Sequence, residues 1–104
     1  MKFEMPNQTA CEVYLNLLRN CKQEYTDKYG IKRIGIFGSV ARGEQTENSD
    51  VDICIEAPPM GLFSFSGLWL ALEKLLGVPV DIVRIHKNMN PKFKKRIEKD
   101  VVYV

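Results

Sequence analysis

Apolar residues recur along this chain with two periods, helical in some stretches and alternating in others. Ala10, Tyr14, Leu17, Leu18, Cys21 and Tyr25 return at helical spacing and give one apolar stripe on a polar segment. Asn7 or Thr9 supplies the N-cap, with Glu12 three residues after Thr9 as a capping-box partner, and Gly30 stands where a helix-ending glycine belongs. Ile31 to Phe37 is short and isoleucine-rich and stops at Gly38, which predicts a strand. Residues 39–49 are polar and include Gly43, Asn48 and Ser49; they predict a turn with one helical turn near Val40 to Arg42.

Val51 to Ile55 alternates strictly, with Val51, Ile53 and Ile55 on one face and Asp50, Asp52, Cys54 and Glu56 on the other. Pro58-Pro59 ends that strand. Phe65, Leu68, Trp69, Leu72, Leu75 and Leu76 predict a second amphipathic helix closed by Gly77, with Trp69 and the phenylalanines near Phe63 in the core. The preceding "APPMGLFSFSG" reads as a loop richer in apolar residues than a free loop usually is, either an interaction edge or a segment folded under the sheet. Pro79 to Ile85 predicts a third strand in which Asp81 opposes Val80 and Ile82. Asn90-Pro91 starts a short basic helix reaching about Lys99, and Val101 to Val104 could add a last strand. The order is that of a small α/β sandwich on a three- or four-stranded sheet. With 104 residues there is material for one core, so a single domain over 1–104 is expected.

Composition narrows the classes. A hydrophobic share of 45% and a charged share of 27% describe an ordinary folded domain. The net charge of +2 argues against direct nucleic-acid binding. Cys11, Cys21 and Cys54 form no C-x-x-C pair and have no histidine cluster beside them, which excludes the usual zinc and disulfide patterns and suggests reduced thiols. No run approaches the ~18 apolar residues of a membrane span, and the polar first residues do not resemble a signal peptide, so a cytoplasmic protein without membrane partners is expected.

The acidic face asks for a chemical explanation. Strand periodicity puts Asp50 and Asp52 on one face roughly 7 Å apart, and Asp81 joins them if its strand lies next to theirs. Gathered carboxylates repel one another and have raised pKa values; a divalent cation relieves this, and hard oxygen ligands suit magnesium, which is readily shared with substrate phosphates. Two such ions roughly 3.5–4 Å apart serve phosphoryl-type transfer. Gly38 at a strand end admits close approach of a ligand, and Ser39 offers a hydroxyl and a backbone N–H to an anion. Ser49 reads as ordering the turn before the strand. His86 reads as a surface histidine, and the basic run Lys92, Lys94, Lys95, Arg96 and Lys99 as the wet side of a helix whose dry side is Phe93 and Ile97.

"GSVARGEQTENSDVDI", followed by "VDIV" at Val80 to Val83, resembles the minimal nucleotidyltransferases of the DNA polymerase β superfamily: Gly-Ser, Ala-Arg-Gly, Ser-Asp-x-Asp, then a later lone aspartate. The resemblance covers nearly the whole chain. It implies the small nucleotidyltransferase (polymerase β-like) fold, a three- to four-stranded mixed sheet with helices packed on one face. It further implies that Gly38 and Ser39 contact the nucleotide triphosphate, that Asp50 and Asp52 bind the metal ions, and that Asp81 completes the second metal site and helps deprotonate the acceptor. Arg42 matches the Ala-Arg-Gly segment and is either a phosphate contact or an ion-pair partner of Glu44 or Glu47.

Proteins of this kind are commonly halves of two-component modules whose partner is a helical HEPN-type protein, often a toxin. The resemblance therefore implies a Mg²⁺-dependent enzyme using two ions and transferring AMP from ATP to a tyrosine of such a partner in an antitoxin role. The alternatives are a weakly catalytic module that neutralises a helical partner by contact, and nucleotidyl transfer to a small molecule such as an antibiotic. The chain has no room for a second domain to complete the pocket, which leaves that task to a macromolecular acceptor or to a homo-oligomer.

Overall fold

The computed structural model describes residues 9–46 and 49–104. Helix α1 covers Ala10–Tyr29; Thr9 caps it by accepting the Glu12 N–H at 3.1 Å, and Gly30 ends it at φ 72°. Asn7, the other candidate cap, lies outside the described residues. The stripe that packs runs through Cys11, Leu15, Leu18 and Tyr25, so Leu15 belongs to it although the predicted stripe omitted it. Lys22 falls on the same line and sends its ammonium out to the Val104 carbonyl at 2.8 Å.

Strands β1 (Arg33–Phe37), β2 (Val51–Glu56), β3 (Val80–Ile85) and β4 (Val102–Tyr103) form one mixed sheet in the order β3-β2-β1-β4. Ile31 is buried but precedes β1, because pairing on this side starts when the Lys32 N–H reaches the Glu56 carbonyl at 2.7 Å. β1 pairs antiparallel with β2 and with β4, whereas β2 and β3 are parallel. A parallel neighbour needs a crossover, and α3 (Leu62–Leu76) supplies it.

The second half of the predicted loop 57–67 is helical: α3 starts at Leu62 behind Gly61, and its Leu68, Leu72 and Leu76 are buried. Phe63, expected in the core, is 92% exposed. The core beneath α1 and α3 contains Ile34, Ile36, Val51, Ile53, Ile55 and Ile82. Among the described residues no helix is long and apolar enough to cross a membrane.

The expected packing of helices on one sheet face holds for α1 and α3. α4 (Pro91–Asp100) differs: it covers the opposite face, where Phe37, Cys54 and Ile97 are buried together. The reason is local. Phe37 and Cys54 alternate with buried isoleucines and so leave apolar surface on the acidic side of the sheet, among Asp52 and Glu56, and Ile97 and Phe93 fill it. Asn90 caps α4 through its Oδ1, which accepts the N–H groups of Lys92 and Phe93 at 2.9 and 3.3 Å. Burial pushes the Cys54 thiol up to about 11, so it stays protonated.

β4 can approach β1 only because Gly35 has no side chain. A Cβ there would stand 2.6 Å from the Val102 carbonyl oxygen and 2.9 Å from the Tyr103 ring. Gly35→Ala is therefore expected to destabilise the fold by about 1–3 kcal/mol through overpacking, read as a lowered thermal midpoint and faster amide exchange at Val102 and Tyr103.

Candidate active site

The end of β1 and the start of β2 meet at one point. Phe37 pairs with Asp52 across the antiparallel ladder, so Gly38, the next residue, lies beside the Asp52 carboxylate. Gly38 has φ +75°, and a Cβ built on it would overlap Asp52 Oδ2. Glycine is needed here twice, for the left-handed backbone and for the missing side chain. The chain then turns into a five-residue helix, α2 (Gly38–Arg42), which ends at Gly43 with φ 73°. This helix contains the predicted turn at Val40 to Arg42 and begins two residues earlier.

On the other side of β2, the parallel register sets Asp52 directly beside Asp81. Both point to the sheet face that α1 and α3 leave free. A cavity of about 540 Å³ opens there. Asp52 and Asp81 line it, with Gly38 against the Asp52 carboxylate and Ser39 and Arg42 following on α2. Asp50 is exposed, one residue ahead of β2, and is not part of the cavity lining. It acts on the pair electrostatically. Partial burial raises the Asp52 carboxyl above the ordinary carboxylate range, the charges of Asp81 and Asp50 add to this, and Arg42 pulls the other way. Asp81 is raised by desolvation first, then by Asp50 and by the Glu73 charge.

Among the described residues no three histidine, cysteine or acidic side chains already converge tightly enough to hold a metal ion. The donors nonetheless suit magnesium in kind: hard carboxylate oxygens that repel each other, with room beside them for phosphates. Magnesium characteristically uses one or two carboxylates and takes its remaining ligands from water and substrate. Asp52 and Asp81, with Asp50 at the margin, are the residues able to hold it.

Of the two roles expected of Arg42, the ion pair with Glu44 is the one observed. Its guanidinium lines the cavity, and it also pairs with Glu44 at 2.9 Å and Asp100 at 2.6 Å. Glu47, the other predicted partner, and Asn48 lie outside the described residues. Ser49 orders the turn as expected, its Oγ accepting the Thr46 N–H at 2.9 Å. His86 is half-buried in its turn, where Nδ1 accepts the Asn88 N–H at 3.2 Å, and it does not line the cavity.

Sequence reasoning missed the far wall. Phe93, Arg96, Ile97 and Asp100, spaced three, four and seven residues apart on α4, all line the cavity. Arg96 is exposed, as expected of the wet side, and also borders the cavity. Trp69, assigned to the core, is half-buried and closes the cavity from α3. The signal for Arg96 was its place one turn from Phe93 on the dry side; nothing local marked Trp69.

Known proteins resemble this chain in sequence and fold. A family model described as the nucleotidyltransferase domain matches residues 18–104. A Methanocaldococcus jannaschii protein provisionally named protein adenylyltransferase MJ1379 is 47% identical over 91 residues, 85% of this chain and 91% of the relative. Protein adenylyltransferase MntA of Thermococcus cleftensis is 38% identical over 90 residues, 86% of this chain and 90% of the relative. A solved structure, described provisionally as a minimal nucleotidyltransferase, superposes with a TM-score of 0.71 at 31% identity, covering 94% of this chain and 98% of that one. A toxin–antitoxin complex with AMP-PNP has the same fold at 22% identity and a TM-score of 0.68, covering 85% of this chain and 69% of that one.

The acidic pair should be measurable without any substrate. Folded-state carboxyls of Asp52 and Asp81 lie above their unfolded values, so the folded state holds those protons more tightly. Their contribution favours folding at low pH and is lost as pH rises through the raised values. In metal-free protein at pH 7, Asp52→Asn should raise the thermal midpoint by about 1–3 °C, solvent screening keeping the gain to a few tenths of a kcal/mol. The gain should shrink as pH falls toward ~4, checked by paired melts across that range.

Proposed function

The chain belongs to the nucleotidyltransferase domain family and is a nucleotidyltransferase, and from that premise we propose that it transfers AMP from ATP, with magnesium, to a tyrosine hydroxyl of a HEPN-type toxin partner and so acts as an antitoxin. The observation that carries this reading is the side-by-side placement of Asp52 and Asp81 next to a glycine that leaves room for nothing but the Asp52 carboxylate. Such a site has no packing purpose. Relatives at 38–47% identity named as protein adenylyltransferases support AMP as the group and protein as the acceptor. The toxin–antitoxin complex of the same fold supports a toxin partner and an adenine nucleotide. Reduced cysteines support a cytoplasmic setting.

In this reading the Ser39 hydroxyl and N–H and the Arg42 guanidinium hold the triphosphate against the acidic side of the cavity. Asp52 and Asp81, assisted by Asp50, hold the metal. When bound, magnesium supplies charge that neutralises the α-phosphate and the departing pyrophosphate. The acceptor oxygen forms a bond to the α-phosphorus as the bond to the β-phosphate bridging oxygen breaks, and pyrophosphate leaves with that electron pair. The acceptor proton passes toward Asp81, which lies beside Asp52 in the cavity. Phe93 and Arg96 on α4 bound the space left for the nucleoside.

With α-³²P-ATP, magnesium and the protein encoded beside this one, label should move to that protein. Asp52→Asn or Asp81→Asn should lower the rate at least about 100-fold with an unchanged circular dichroism spectrum, and EDTA should stop transfer by the parent. Transfer by either variant at the parental rate defeats the assignment. Neutralisation of the toxin by the double variant would favour action by contact instead.

A further inference from the structure

α3 buries one face against the sheet and leaves the other bare. Leu62, Phe63 and Leu70 are 76%, 92% and 67% exposed. Helical spacing aligns Leu62, Ser66 and Trp69 in one row, with Phe63 and Leu70 along its flank. A shallow groove of about 350 Å³ lies between Phe65, Ser66, Trp69 and Leu70. No charged residue occurs from Ala57 through Leu72. Exposed aromatic and leucine side chains in an uncharged patch mark a protein-binding surface rather than an ordinary wet helix face.

We propose that this face docks the protein acceptor itself, receiving the apolar side of an amphipathic helix of that acceptor and presenting the acceptor hydroxyl to the catalytic cavity. The proposal rests on the adenylyltransferase reading above. Trp69 identifies the occupant, because it lines both the groove and the cavity that contains Asp52 and Asp81. Whatever covers the groove therefore ends beside the reacting carboxylates. A protein acceptor must bring a hydroxyl to that place; a small acceptor has no use for the neighbouring groove. The small Ser66 between Leu62 and Leu70 lets a helix lie close, and the absence of charge selects an apolar side chain row.

The test uses the full chain with the photocrosslinker benzoylphenylalanine replacing Phe63, or replacing the exposed Val13 on α1 as a control away from the groove. Each is added to an extract of the source cells with magnesium and α-³²P-ATP. The AMP-labelled protein should crosslink from position 63 and not from position 13. Phe63→Asp and Leu70→Asp should each lower labelling of that protein about 10-fold or more, while calorimetric uptake of Mg-ATP stays at the parental value, which also shows that the variants fold. Labelling that survives both variants overturns the docking site but leaves the adenylyltransferase reading standing. Crosslinking from position 63 only to a second copy of the chain, with dimers in the ultracentrifuge, also overturns it. If the parent labels no protein at all, the adenylyltransferase reading fails and the docking site falls with it.

Discussion

Two like charges stand next to each other across a parallel ladder, and much of the fold exists to keep them there. Asp52 and Asp81 share a register row, with repulsion and partial burial both raising their proton affinity. What fixes the row is its neighbours: Val51 beside Val80 and Ile53 beside Ile82, all buried on the reverse face. A slip of one residue would put the isoleucines in water and the aspartates in the core. The hydrophobic pattern therefore sets the geometry of the acids, and the unfavourable pairing is retained because a far larger apolar contact is attached to it.

The side of the sheet that carries the chemistry is also a packing surface. Phe37, Cys54 and Ile97 form a small second core there, with Phe93 edge-on to Phe37 at 6.4 Å between ring centres. α4 is thereby held over the cavity, and the Arg42–Asp100 ion pair ties it to α2. The walls of the cavity come from six separate elements, β1, α2, β2, α3, β3 and α4, and α4 is held by apolar contact on one flank and by charge on the other.

Much of this was legible in the sequence where the pattern is local. Period-two alternation gave β2 its acidic face, Gly38 its strand end, and Asp81 its orientation against Val80 and Ile82. α1, with its cap at Thr9 and its stop at Gly30, is written in residues a few positions apart. The misses are tertiary. Asp100 meets Arg42 from 58 residues away, and no spacing rule connects them. The place of Arg96 at the cavity was lost in a run of lysines because charge alone does not say which exposed cation borders a cavity. Phe63 was placed in the core because apolar character is evidence for burial only until a helix has more apolar residues than inward positions.

Gly35 closes one flank of the sheet by having nothing to offer. β4 contains only Val102 and Tyr103, and it reaches β1 through the space a methyl group would fill. β3 already presents an unpaired side on the opposite flank. Were the two-residue strand displaced, unsatisfied main-chain donors and acceptors would line both margins, the condition under which sheets of separate molecules join edge to edge and polymerise. The cover over β1 thus hangs on a single absent carbon.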